Sequence, residues 1–318
     1  MLYRSYGMNT ILVTGGAGYI GSLLIQKLLS KGHKVLALDN FMYRQTSLAH
    51  LVSHQNLELV IGDVRDEFLM KRIILKSDIV IPLAAIVGAP ACDRDPVAAK
   101  SINRDSVTWL ISKLSKDQRI IMPTTNSAYG SGDRENFCDE QSPLNPLSLY
   151  ARDKVEVEKQ LMEHPNATSF RLATVFGISP RMRLDLLVNN FTYRALTDGF
   201  LVVFEGHFKR NYIHLFDVVQ AFILAIDAPD DFKGEIFNVG LSSANISKME
   251  LCAEIKKYLP DFVFTEEAFG KDPDQRNYIV SNKKIEERGF MPQVSLQMGI
   301  RELIKGLKMF DQRPFTNV

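Results

Sequence analysis

Thr14-Gly15-Gly16-Ala17-Gly18-Tyr19-Ile20-Gly21 constrains the fold of this chain more than any other stretch. An apolar run, Ile11-Leu12-Val13, leads into it. Leu23-Leu24-Ile25 and Leu28-Leu29 follow at helical spacing. Strand, glycine turn and helix start stand in the order that a dinucleotide pyrophosphate needs. Gly16, Gly18 and Gly21 match G-x-G-x-x-G, and Gly15 adds a second reading, G-x-x-G-x-x-G. Glycine at the turn admits backbone angles that a Cβ would block. At the closest approach it lets an anion reach the N–H groups of a helix N-terminus. Alone, such a pattern also describes ordinary tight turns. Here a second apolar run, Lys34-Val35-Leu36-Ala37-Leu38, ends in Asp39. A carboxylate there accepts hydrogen bonds from the adenosine ribose and repels a 2′-phosphate, which predicts NAD rather than NADP.

Apolar runs at 11–14, 35–39, 57–61, 78–83 and 119–124 alternate with helical patterns. That alternation predicts a parallel sheet with right-handed crossovers. Asp78-Ile79-Val80-Ile81-Pro82-Leu83-Ala84-Ala85 lacks polar alternation, as a central strand covered on both faces would. A ligand then belongs at the carboxyl ends of the strands, at the switch point. After Gly177 the pattern changes. Ser179-Pro180-Arg181-Met182-Arg183 is a basic turn, and residues 185–197 read as a helix carrying Asn189 and Asn190. A strand at 201–204, a helix at 215–227 and a strand at 262–264 follow. Ser247 and Glu250 spell a capping box on a helix over 248–259. The expected architecture is α/β: a doubly wound parallel sheet over 1–176 and a smaller mixed α/β lobe over 177–318, with further crossings between lobes allowed.

The length of 318 residues suits one large α/β unit or two closely joined. A net charge of +1 leaves no bulk electrostatic case for nucleic acid. No apolar run approaches the length of a membrane span, and Met1–Asn9 lacks a signal-peptide core. Cys92, Cys138 and Cys252 are scattered, which argues against a disulfide framework or a metal site. Buried free thiols in a reducing, cytoplasmic setting are expected.

Tyr150 and Lys154 lie four apart on a predicted helix, so both project from one face. A free tyrosine has a pKa of about 10. A neighbouring ammonium favours the phenolate, and lowering that value by three units takes roughly 4 kcal/mol. Tyr150 is then a candidate general base. Ile120-Ile121-Met122-Pro123-Thr124-Thr125-Asn126-Ser127-Ala128-Tyr129-Gly130 reads as a strand ending in hydroxyl residues that could bond the same substrate oxygen. A Tyr-x-x-x-Lys spacing by itself describes many surface helices; the hydroxyl run and the glycine turn set this one apart.

Together, the glycine turn, Asp39, Gly62-Asp63-Val64, Leu83-Ala84-Ala85, Asn103, the Thr124–Gly130 run and Tyr150…Lys154 resemble the extended short-chain dehydrogenase/reductase family. Its UDP-galactose 4-epimerases and other nucleotide-sugar enzymes are the nearest in pattern. The resemblance implies a Rossmann-type fold, NAD as cofactor and a nucleoside-diphosphate sugar as substrate. It makes Thr125, Tyr150 and Lys154 catalytic. It places Gly15, Gly18, Tyr19, Ile20, Gly21, Asp39, Asn40, Asp63, Val64, Leu83, Ala84, Ala85 and Asn103 at the cofactor, with Tyr150 and Lys154. Thr125, Asn126, Thr174, Asn189, Arg210 and Arg276 go to the substrate, the two arginines as a diphosphate clamp. His214 reads as structural. Thr174 departs from the Asn of many relatives.

Related sugar 4,6-dehydratases carry Asp-Glu after the catalytic Thr. Asn126-Ser127 cannot do that carboxylate work. Oxidation at sugar C4 with release of the keto sugar, 4-epimerisation and reduction of a keto sugar remain. The wording of 123–130 and 179–183 resembles GDP-manno-heptose 4-dehydrogenases of Campylobacter-type capsule pathways, which implies GDP-D-glycero-D-manno-heptose. A non-catalytic NAD-binding regulator is the reading outside enzymology; retention of both Tyr150 and Lys154 argues against it. The resemblance also implies a homodimer through helices near 97–115 and 150–163, the first offering Val107, Leu110, Ile111 and Leu114 beside Trp109.

Overall fold

The computed structural model describes residues 7–130, 137–267 and 276–309. Its centre is a seven-stranded sheet. In spatial order the strands are Glu235–Val239, Ala167–Leu172, Arg119–Thr125, Ile79–Pro82, Thr10–Thr14, Lys34–Asp39 and Leu57–Ile61. Every neighbouring pair runs parallel. The chain steps outward from Thr10–Thr14 in one direction and then returns to build the other side. Thr10–Thr14 therefore flanks the switch point, where an open parallel sheet leaves a crevice.

Alternation along the strands assigns side chains to two layers. Ile11, Val13, Val35, Ala37, Ile79 and Ile81 face one core with the first helix, Tyr19–Ser30. Leu12, Leu36, Leu38, Val80, Ile120 and Met122 face the other. All four residues of Ile79–Pro82 are buried, as its unbroken apolar run requires.

The remaining described strands form small sheets. Thr174–Phe176 pairs with Lys209–His214, which also pairs with Asn245–Ser247. Phe200–Phe204 pairs with Val263–Glu267. Between them the chain goes back to the large sheet as Glu235–Val239, packed on Ala167–Leu172. Helix Leu215–Asp227 lies where its apolar pattern put it. Ser247 and Glu250 close the expected capping box, although the helix ends at Lys256.

The stretch expected as one helix over 97–115 is broken. It runs as Ala89–Arg94, Pro96–Lys100, a π-turn at Ser101–Asp105 and Ser106–Lys113. Pro96 cannot continue a preceding helix, so Asp95 caps a new one through Ala98 N–H. Val107 and Leu110 are spent on the sheet. His214 is structural: it caps Leu215–Asp227 and packs edge-on to Phe176. Cys92, Cys138 and Cys252 are buried free thiols. Among the described residues no helix is long and apolar enough to cross a membrane.

Candidate active site

Thr14, Asp39, Pro82, Thr125 and Leu172 end their strands along one edge of the sheet. That edge opens into a cavity of about 490 Å³, a size suited to small-molecule sites. Gly15, Gly18, Tyr19, Ile20 and Gly21 form its floor. Gly15 has φ +66°, and a Cβ there would lie 2.6 Å from Ala84 N. A Cβ on Gly21 would lie 2.5 Å from Gly15 O. Gly18 caps helix Tyr19–Ser30 with no side-chain bond, so the first-turn N–H groups face the cavity unblocked. These are the features a pyrophosphate needs, and they fit a dinucleotide.

Asp39 stands beside this cradle. Its carboxylate accepts from Ala17 N–H at 3.0 Å, Phe41 N–H at 2.8 Å and Gln45 Nε2 at 3.2 Å. Burial nevertheless raises its pKa above the usual carboxylate value. Further along, Asp63 is gripped by Arg65 through Nε and Nη2, both at 2.8 Å. That pairing holds Asp63 down at about 2. Asn40, Val64, Leu83, Ala84 and Ala85 complete this half of the wall.

Thr125, Tyr150 and Lys154 line the other half. Ser148 caps helix Leu149–Leu161 through Ala151 N–H, which puts Tyr150 in the first turn and Lys154 in the next. Thr125 Oγ1 accepts from Ser127 N–H at 3.0 Å and donates to Ser127 Oγ at 2.8 Å. Arg276 Nη1 donates to the same Ser127 Oγ. Thr174 lines the cavity with its buried hydroxyl unpartnered, and Arg210 reaches it from Lys209–His214.

The electrostatics correct one expectation. The phenol of Tyr150 is not lowered by the protein; burial pushes it up to about 12, against opposing pulls from Arg183 and Arg276. Lys154 lies with Nζ 6.0 Å from the Tyr150 ring centre, and burial brings its own ammonium down to about 8. A buried ammonium loses more by desolvation than a neutral phenol returns.

Three expected ligand contacts lie behind the wall rather than in it. Asn103 spends its amide on Ile86, accepting from N–H and donating to C=O, both at 2.8 Å. It thereby holds the 83–88 loop. Asn189 bonds Gly177 N–H, the Arg183 carbonyl and the Tyr19 hydroxyl. Asn126 is fully buried, and neither polar atom of its amide has a partner among the described residues. Asp274 and Gln275, which flank Arg276, lie outside the described residues. Conversely, Ser127, Tyr43, Arg181, Arg183 and Asp185 line the cavity without having been singled out as contacts. Arg183 pairs with Asp185 in the same turn. The basic 179–183 turn was the visible signal; its partners were not.

The model of the "NAD dependent epimerase/dehydratase family" matches residues 11–240. A putative UDP-glucose 4-epimerase of Methanocaldococcus jannaschii is 27% identical over 315 residues, spanning 94% of this chain and 98% of that protein. UDP-glucuronic acid decarboxylase 1 of Arabidopsis thaliana is 26% identical over 312 residues, 94% of this chain and 69% of the relative. The solved structure of a Thermotoga maritima UDP-glucose 4-epimerase with UDP-glucose superposes with a TM-score of 0.81 at 26% identity, covering 94% of this chain and 99% of that one. A family match running from the first strand of the sheet through Glu235–Val239 takes in the glycine cradle, Thr125, Tyr150 and Lys154 together, so the chain belongs to the NAD dependent epimerase/dehydratase family and uses NAD.

Proposed function

We propose that the chain is an NAD-dependent 4-epimerase of a nucleoside-diphosphate sugar. One observation carries the reading: Thr125, Tyr150 and Lys154 line one cavity, and among the described residues no unengaged carboxylate lines it with them. Among the described residues, the acids that line the cavity are Asp39, Asp63 and Asp185. Asp39 is held by backbone N–H groups, Asp63 by Arg65 and Asp185 by Arg183. Such a site moves a proton at one sugar oxygen but lacks the acid–base pair for eliminating water. Relatives matched over nearly their full length, by sequence and by structure, include 4-epimerases.

NAD, when bound, would supply the two-electron oxidant for sugar C4 and the hydride for its return. Tyr150 takes the proton of the C4 hydroxyl during oxidation and returns it to the same oxygen during reduction. Thr125 hydrogen-bonds that oxygen. Lys154 would hold the cofactor ribose, and Asp39 would accept from the adenosine ribose. Arg210 and Arg276 grip the sugar-nucleotide diphosphate, and Thr174 offers its hydroxyl to the sugar. Inversion follows when the keto sugar presents its other face before reduction.

C4 oxidation with release of the keto sugar uses the same groups. Its support is the wording of 123–130 and 179–183, which favours GDP-D-glycero-D-manno-heptose. One experiment separates the two. The enzyme is incubated with NAD and either UDP-glucose or GDP-manno-heptose, and the sugar nucleotide is recovered. Unchanged mass with inverted C4 supports epimerisation. A product two hydrogens lighter replaces it with dehydrogenation.

Two further results are expected. NADP should bind at least about tenfold more weakly than NAD, roughly 1.4 kcal/mol, because Asp39 would face the 2′-phosphate. Equal affinities in a direct titration would remove Asp39 from the ribose. Arg210→Ala and Arg276→Ala should each weaken nucleotide-sugar binding by roughly 2–5 kcal/mol and spare NAD. Calorimetric titration with UDP reads this; unchanged affinity in both would move the substrate elsewhere.

A further inference from the structure

Loop 40–46 leaves the end of strand Lys34–Asp39 and crosses the rim of the cavity, which Met42, Tyr43 and Gln45 line. It is a strained turn. Phe41 and Arg44, neither of them glycine, hold φ +52° and +51°. Arg44 N–H closes the turn on the Phe41 carbonyl at 2.8 Å. Gln45 donates to Asp39, while its Oε1 is buried with no partner, an acceptor waiting for a donor.

The opposite rim is built from the segment that follows Gly177. Arg181 comes from it and places its guanidinium 4.8 Å from the centre of the Tyr43 ring. The Arg181 side of this contact is anchored. Ser179 Oγ donates to the Tyr19 carbonyl at 2.8 Å, and the Tyr19 hydroxyl donates to the Gly177 carbonyl at 2.7 Å. Arg181 is 6% exposed, whereas Tyr43 is 37% exposed. The two sides of the contact thus differ: one is pinned to the helix of the glycine cradle, and the other is an outer loop.

We propose that Tyr43 and Arg181 form a latch across the cofactor cleft, which must part before NAD or NADH can leave. Both residues line the cavity and touch each other there, one from loop 40–46 and one from the segment after Gly177. A guanidinium against an aromatic face is attracted by the ring even where the ring is partly open to water. Asp39, which the loop folds around through Phe41 and Gln45, ties the closed loop to the ribose end of the site. A ribose hydroxyl donating to Gln45 Oε1 would strengthen the closed form. The latch therefore slows cofactor release without touching the proton chemistry at Tyr150. It rests on NAD binding alone and holds whichever sugar product leaves.

The test reads cofactor departure rather than turnover. Protein loaded with NADH is mixed rapidly with excess NAD, and the loss of bound-NADH fluorescence gives the release rate. Tyr43→Ala and Arg181→Met are each expected to speed release about two- to fivefold. Tyr43→Phe should keep the wild-type rate, since the ring and not the hydroxyl makes the contact. The double variant Tyr43→Ala/Arg181→Met should release no faster than either single one, because both remove the same contact. Single variants that release NADH at the wild-type rate overturn the latch. So do single effects that multiply in the double variant, which would mean two separate contacts with the cofactor.

Discussion

Tyr150→Phe is expected to lower turnover roughly 10²- to 10⁴-fold, the span that a positioned proton-transfer group supplies, and to leave the fold and NAD affinity intact. Only the titrating oxygen is removed; the ring keeps its place in the first turn of helix Leu149–Leu161. The size of the effect follows from how hard this phenol is to ionise. The protein alone holds it at about 12. Forming the phenolate near neutral pH therefore needs further positive charge beside it. Arg183 and Arg276 pull in the right direction, and the positive charge of oxidised nicotinamide adds to them. The sign of the pH dependence is then fixed. The base form is the deprotonated one, so kcat/KM should climb with pH and fall away on acidification. That limb should vanish in Tyr150→Phe. A pH–rate profile of both proteins reads it, and wild-type turnover in the Phe variant would remove Tyr150 from the chemistry.

The first half of the fold was open to reading because its signals are local. Strands there are apolar runs bounded by glycine or acid, and the glycine turn carries its own backbone requirement. Residues that depend on distant partners were hidden. Ala167–Leu172 contains Thr168, Ser169 and Arg171, and all six of its residues are buried. It reads as polar because its side chains are satisfied by groups far away in sequence. Glu235–Val239 is short and closes the sheet only by pairing with that strand. The same holds in the site. Spacing placed Thr125, Tyr150 and Lys154 around one cavity, but the Ser127–Arg276 contact joins residues 149 apart. Burial also reversed the expected shift of the Tyr150 phenol, and spacing along a helix carries no information about burial.

That hidden polar network should also be the most sensitive point for stability. Arg171 bonds Glu158 through Nε at 3.0 Å and Nη2 at 2.6 Å, with side chains 4% and 5% exposed. The other carboxylate oxygen accepts from Thr124 at 2.9 Å and Ser169 at 2.7 Å. Arg171 Nη1 reaches the Tyr129 hydroxyl at 3.0 Å, which donates to Asn238 at 2.7 Å. One ion pair thereby joins helix Leu149–Leu161 to three strands of the sheet, directly beneath Thr125. Removing one partner leaves the other charge buried and alone. Glu158→Ala and Arg171→Ala should each cost roughly 3–5 kcal/mol in urea unfolding. Glu158→Leu combined with Arg171→Met should cost less than either, because no uncompensated charge remains. Thr124 loses its carboxylate acceptor in both Glu158 variants, keeping only the Ser169 hydroxyl at 3.0 Å, and it immediately precedes Thr125. Their turnover should therefore fall even where the protein is still folded, while Arg171→Ala, which leaves the Thr124–Glu158 bond in place, should lose less activity for the same loss of stability. Equal activity losses at matched stability would show that the network holds the sheet together without setting the position of the Thr125 hydroxyl.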